Sequence, residues 1–213
     1  TKKLKRDLNL YLKNLNSEKI IAVTGTNGKS TTTKLIGETL KTKNTNTFIG
    51  GNIGFPLCNS IISTKKFKFH VIELSSFQLE TIKNMEANIS IITNLSNDHA
   101  DRYKNINDYV NQKKNILTKK GINLISIDDK YSRKIFNYND NLKKISFSIL
   151  NKKADVYASD NYIFDNYFNK KQKIKLKNIS IDLEGKYNLQ NILILYICSK
   201  IFRIGEKNFF ETL

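Results

Sequence analysis

The sequence predicts an α/β fold: a mainly parallel sheet flanked by helices on both faces, with a small antiparallel strand section near residues 155–183. Three observations carry that expectation. Short apolar runs alternate with stretches of helical periodicity, the pattern of strand–helix–strand units. Several runs, such as Ile89-Ser90-Ile91-Ile92, lack the polar alternation of a half-exposed strand and suit one covered on both faces. One of them, Ile20-Ile21-Ala22-Val23-Thr24, runs straight into a glycine turn that opens a helix.

Taken in order, residues 3–16 carry Leu4, Leu8, Leu10, Tyr11 and Leu15 at roughly helical spacing, an amphipathic lead-in. A strand at 19–24 and a helix at 29–41 follow, then a short strand at 47–49 that ends in Gly50-Gly51-Asn52-Ile53-Gly54-Phe55-Pro56. Strands are expected at 69–74, 88–95, 122–127 and around 145–147; helical segments at 77–83, 106–117 and 130–138 separate or follow them. From 155 to 183 the pattern turns to short alternating strands, and every second residue from Lys171 to Lys177 is Lys, which reads as a solvated edge strand guarded by charge. An apolar helix at 187–203 closes the series.

A chain of 213 residues is one large domain, or one and a fraction, with ample length for a core. The net charge of +17 invites a nucleic-acid reading, but the basic residues are 32 Lys against 4 Arg. Lys, Asn and Ile are all used heavily, as A/T-rich codons dictate, and Arg, which suits bidentate phosphate and guanine contacts, is scarce. A solvated lysine surface is expected, and no nucleic-acid partner. Cys58 and Cys198 lie in apolar surroundings without metal-ligand spacing and read as small buried hydrophobes of a reducing compartment. No signal peptide is visible and the longest apolar run, 192–198, is too short to span a bilayer, so a cytoplasmic protein without a membrane partner is expected. The first residue is Thr, the lone methionine is Met85, and the chain stops inside what reads as a helix; an excerpt of a longer polypeptide is the expectation.

The chemistry starts at Thr24-Gly25-Thr26-Asn27-Gly28-Lys29-Ser30-Thr31. A buried strand delivers the backbone to a tight loop whose glycines let N–H groups converge on an anion, and the loop opens a helix whose dipole favours negative charge. Lys29 would reach the β- and γ-phosphates, and the hydroxyl of Ser30 or Thr31 would meet a magnesium ion. The usual phosphate-loop pattern places a glycine where this chain has Val23; its upstream glycine, Gly25, is three residues before Gly28. Ligands of open parallel sheets bind at the carboxyl ends of the strands. The polar residues there are Gly51-Asn52, then Glu73-Leu74-Ser75-Ser76, then Asn94-Leu95-Ser96-Asn97-Asp98-His99-Ala100-Asp101-Arg102-Tyr103. Glu73, at a neighbouring strand's end, is a candidate metal ligand, and His99 lies in a polar run after a buried strand. His70, inside a strand, reads as packing.

These four strings, the third continuing as Phe77-Gln78-Leu79-Glu80, resemble the central ATP-binding domain of the Mur ligases, and most closely its D-glutamate-adding branch. The resemblance runs from about Ile20 to the end of the chain. It implies that residues 1–213 are that middle domain with a short lead-in, and that an N-terminal UDP-substrate domain and a C-terminal domain flank it outside this chain. It implies ATP contacts at Gly25, Thr26, Asn27, Gly28, Lys29, Ser30 and Thr31; two Mg2+ ions held through Ser30, Glu73 and His99; and substrate contacts at Asn52, Ser75 and Gln78. Tyr109-Val110-Asn111-Gln112-Lys113 matches the family's Tyr-x-x-x-Lys string, whose lysine is carbamylated by CO2; this nominates Lys113 over Lys114 as a further metal ligand. Lys29, Glu73, His99 and Lys113 are thus the implied catalytic set. Gly185-Lys186-Tyr187-Asn188-Leu189-Gln190-Asn191 resembles the family's Gly-x-His-Asn-x-x-Asn string near adenine, with Tyr187 in place of histidine and Asn188 and Asn191 kept. The implied reaction adds D-glutamate to UDP-N-acetylmuramoyl-L-alanine, activated by ATP as an acyl phosphate, in a monomer, for peptidoglycan precursor synthesis. Folylpolyglutamate synthase shares the loop and a glutamate-adding reaction, and a non-catalytic nucleotide- or nucleic-acid-binding module is the alternative from another class.

Overall fold

The structure, a computed structural model, describes residues 7–15, 17–43, 45–82, 85–96, 103, 105–168, 171–176 and 186–213, the last without the side chains of Lys186 and Tyr187. Among the described residues nine strands form one sheet: β1 (Lys19–Thr24), β2 (Thr47–Gly51), β3 (Phe69–Glu73), β4 (Ile89–Ile92), β5 (Ile122–Ser126), β6 (Lys144–Ser148), β7 (Val156–Ser159), β8 (Tyr162–Asp165) and β9 (Gln172–Lys175). Their order across the sheet is β2-β3-β1-β4-β5-β6-β7-β8-β9. Every pair from β2 to β7 is parallel, and the last two pairs are antiparallel. β1 lies between β3 and β4, so the loop after it is flanked by the carboxyl ends of both neighbours.

Both faces of the sheet are covered, and β1 shows how. Ile21 and Val23 join one core with α2 (Lys29–Lys41), α7 (Lys186–Ile201) and α8 (Glu206–Glu211). Ile20 and Ala22 join the opposite core with α1 (Asp7–Lys13), α4 (Ser76–Leu79), α5 (Ile106–Lys114) and α6 (Lys130–Asn137). A period-two side-chain alternation in a strand buried on both sides demands apolar residues at every position, which is what the sequence supplies. α7 is buried at each residue from Ile192 to Cys198, and Tyr196 anchors it by donating to the buried Asp165 at 2.7 Å.

Several sequence expectations change in detail. Among the described residues the lead-in helix is Asp7–Lys13, and residues 3–6 lie outside them. The strand expected over 88–95 is Ile89–Ile92, because Thr93 and Asn94 turn toward the β1 loop. The 106–117 helix ends at Lys114, with Asn115, Ile116 and Leu117 closing in turns. A five-residue helix, α3 (Cys58–Ile62), had no periodic signal. Cys198 is buried as expected, whereas Cys58 is only half-buried. Lys173 and Lys175 are exposed on the terminal strand β9 with Ile174 buried between them; Lys177 and residues 178–183 lie outside the described ones. His70 packs among the rings of Tyr11, Phe48 and Phe67 and shares a 2.7 Å hydrogen bond with the Tyr11 hydroxyl, which ties α1 to β3.

Candidate functional site

The loop between β1 and α2 is a left-handed turn made by its glycines. Gly28 caps α2 at φ +81°, and a Cβ there would come within 2.7 Å of Asn191 Oδ1. Gly25, at φ +151°, lies so close to Thr93 that a side chain would collide with its hydroxyl. Lys29 folds back, its Nζ donating to the Thr26 carbonyl at 2.7 Å.

β3 brings up Glu73, which is 1% exposed. Ser30 donates to one carboxylate oxygen at 2.8 Å and Asn52 Nδ2 to the other at 2.9 Å, so the loop, β3 and the turn after β2 meet at this side chain. Among the described residues no cation pairs with Glu73. Burial of a carboxylate against neutral donors alone is costly, and a bound cation relieves that cost. Two hard oxygen ligands, the Ser30 hydroxyl and the Glu73 carboxylate, suit magnesium.

Lys113 comes to the same loop from α5. It is 2% exposed, donates to the Gly25 carbonyl at 2.8 Å and to Thr24 Oγ1 at 3.2 Å, and lies over the Tyr109 ring at 4.9 Å. Thr24 gives its own proton to the Leu74 carbonyl, so it acts as an acceptor toward Lys113. All three contacts suit an ammonium. Carbamylation would leave one N–H on Nζ, which could still donate to the Gly25 carbonyl. Lys114 turns elsewhere, over the Tyr138 ring at 5.1 Å.

Other expected site residues make contacts of their own. Ser75 and Gln78 cap α4: Gln78 N donates to Ser75 Oγ at 3.3 Å while Gln78 Oε1 receives Ser75 N at 3.1 Å. Asn191, 2% exposed, lies behind Gly28, accepting from Thr32 at 2.9 Å and donating to Asn188 at 3.1 Å. Thr31 opens α2 beside Ser30. His99, with Asp98, Asp101 and Arg102, and the side chain of Tyr187, lie outside the described residues. No cluster of three His, Cys, Asp or Glu forms among the described residues.

Sequence reading missed Asp128 and Asp129 on the same rim. A cavity of about 200 Å3 beside the loop is lined by Asn27, Asn94, Asp128, Leu150 and Gln190, among others. Asp128 accepts from Gln190 Nε2 at 2.5 Å and from the Ile149 and Leu150 N–H groups at 3.1 Å each; Asp129 caps α6. The signal was available: Asp128 and Asp129 follow β5 just as Glu73 ends β3.

A parallel sheet with a glycine loop, lysine and hydroxyl at its central strand, and a carboxylate on the next strand, defines a phosphate-loop class of α/β domain. Residues 23–198 match the Mur ligase middle domain, and the chain belongs to that family. It is 35% identical over 200 residues to the UDP-N-acetylmuramoylalanine–D-glutamate ligase of Natranaerobius thermophilus, covering 92% of this chain and 43% of that protein. With the ligase of the same name from Rickettsia prowazekii it is 35% identical over 214 residues, covering 97% and 46%. The chain therefore spans about half the length of the curated relatives it matches. Among solved structures, a UDP-N-acetylmuramoyl-L-alanyl-D-glutamate–2,6-diaminopimelate ligase superposes with a TM-score of 0.71 at 18% identity, over 96% of this chain and 48% of that one. MurF from Acinetobacter baumannii gives 0.68 at 17%, over 97% and 47%. These two likenesses establish the fold. No helix among the described residues is long and apolar enough to cross a membrane.

Proposed function

We propose that this chain is the MgATP-binding part of a ligase that joins D-glutamate to UDP-N-acetylmuramoyl-L-alanine through an acyl phosphate. The observation that carries the nucleotide half is the Ser30–Glu73–Asn52 linkage, which joins a phosphate loop to a buried carboxylate without a described counter-ion. The names of the relatives at 35% identity support the D-glutamate half.

In this reading the N–H groups at the start of α2 and the Lys29 ammonium hold the triphosphate. Lys29 exchanges the Thr26 carbonyl for a phosphate oxygen. Ser30 and Glu73 would hold magnesium, which would supply charge neutralisation at the transferring phosphoryl group. Asn52 keeps the Glu73 carboxylate oriented. No side chain has to act as a covalent nucleophile; the chain positions the substrate carboxylate against the phosphoryl group and excludes competing geometries. The 200 Å3 cavity, with apolar Leu95, Ile149 and Leu150 among polar neighbours, has the character of a nucleoside pocket. His99 is kept as a proposed metal ligand from the motif. Lys113 is kept from the motif as the proposed carbamylated lysine, which would add an anionic metal ligand beside the loop that its Nζ touches.

Flanking domains complete the site for the uridine nucleotide and the amino acid, so the 213-residue chain alone binds MgATP weakly and forms no ligated product. The test is a ligation assay on the chain joined to its flanking segments, with UDP-N-acetylmuramoyl-L-alanine and D-glutamate in one arm and a reduced folate and L-glutamate in the other. ADP release that depends on the first pair supports the proposal; dependence on the folate pair overturns it.

A further inference from the structure

The phosphate loop has two sets of backbone N–H groups. Those of Gly28, Lys29, Ser30 and Thr31 precede the first helical bond of α2, from Thr32 N to the Gly28 carbonyl, and among the described residues stay open to an anion. Those of Thr26 and Asn27 are both taken by one residue. Thr26 N donates to the Asn94 backbone carbonyl at 2.8 Å, and Asn27 N to the Asn94 side-chain Oδ1 at 2.9 Å. The same amide returns a bond, Nδ2 to the Asn27 carbonyl at 3.0 Å, where the Thr93 hydroxyl also donates at 2.7 Å. One side-chain amide thus pairs with both polar groups of Asn27's backbone, as a neighbouring strand would.

The orientation of that amide is itself fixed. Asn27 N requires an acceptor, while the Asn27 carbonyl and Gln190 Oε1, 3.5 Å away, require a donor, so Oδ1 and Nδ2 have one consistent assignment. Gln190 is held in turn by Asp128 Oδ2 at 2.5 Å and Ser126 Oγ at 3.3 Å.

We propose that Asn94 is a positioning residue for triphosphate binding, holding the Asn27 backbone so that the free N–H groups of Gly28 to Thr31 converge before the anion arrives. The inference rests on the triphosphate reading above and deepens it by adding a residue that acts through the loop. Pre-setting the loop removes an ordering cost that binding would otherwise bear.

The test titrates MgATP and magnesium tripolyphosphate calorimetrically into the chain and into Asn94→Ala and Asn94→Asp, each well below its unfolding temperature. Loss of two neutral hydrogen bonds is expected to weaken both probes by about tenfold and by the same factor. Amide exchange at Asn27 accelerates in Asn94→Ala. Asn94→Asp keeps the shape and the acceptor for Asn27 N, loses the donor, and tests the same claim if the alanine variant fails to fold; it too weakens both probes. Unchanged affinities with only a lower melting temperature would show a purely structural residue and overturn the proposal. Weakened ATP with unchanged tripolyphosphate would place the effect on the nucleoside side and overturn it as well. A wild-type chain that binds neither probe sinks the triphosphate reading itself, an outcome distinct from the other two.

Discussion

Glu73 takes one neutral donor on each oxygen, Ser30 and Asn52, inside the protein. Glu73→Gln keeps the shape but turns one oxygen into a donor that faces a donor. The variant should fold with a loss of about 1–3 kcal/mol, measured by denaturant unfolding. It should also lose magnesium dependence: the ratio of ATP affinities with and without Mg2+ falls toward one, whereas an unchanged ratio removes Glu73 from the metal site. His70 gives a second residue-scale expectation. Burial pushes its imidazole down to about 4, against a smaller opposing pull from Glu18. An unfolded histidine titrates near 6.5, so between these values the unfolded chain binds the extra proton. This contribution to stability is complete above about pH 6.5 and is lost as pH falls toward 4. Unfolding midpoints across that window should fall more steeply for wild type than for His70→Gln. The sequence made the shared place of Lys29, Ser30 and Glu73 at the sheet rim legible, because loop chemistry and strand ends have local signatures. It did not reveal that Ser75 and Gln78 also form a capping box, since a cap uses the same polar residues as a binding site. The pairings of Asn94 and Gln190 were not legible, because their partners are 67 and 62 to 64 residues away and no spacing rule connects them.

At the level of elements, the β1 loop and α2 depend on a backbone that glycine alone adopts easily. Gly28→Ala meets a positive φ and the fixed Asn191 amide together, so relief by moving Asn191 would break its bonds to Thr32 and Asn188. The substitution should cost about 1–3 kcal/mol and weaken MgATP binding; calorimetry and thermal unfolding measure the two effects separately. A variant with wild-type stability and affinity would show that the loop tolerates other geometries. The parallel strands could be read from sequence because burial on both faces makes them continuously apolar. The lysine alternation around Ile174 marked β9 as an edge for the complementary reason. α3 escaped because Cys58–Ile62 is too short to show a period.

For the molecule as a whole, one sheet places the ends of β1, β3, β4 and β5 side by side, and residues far apart in sequence meet there: Thr24 with Lys113, Ser30 with Glu73, Asn27 with Asn94. Such a rim suits the proposed nucleotide, and the chain spans about half the length of its curated relatives. The most direct test of this account is calorimetric titration of MgATP into the wild-type chain and Lys29→Ala. The account predicts saturable one-to-one binding that Lys29→Ala weakens about 10- to 100-fold, the range for losing a hydrogen bond from a charged donor. Absence of binding in wild type, or equal affinity in the two proteins, would contradict it.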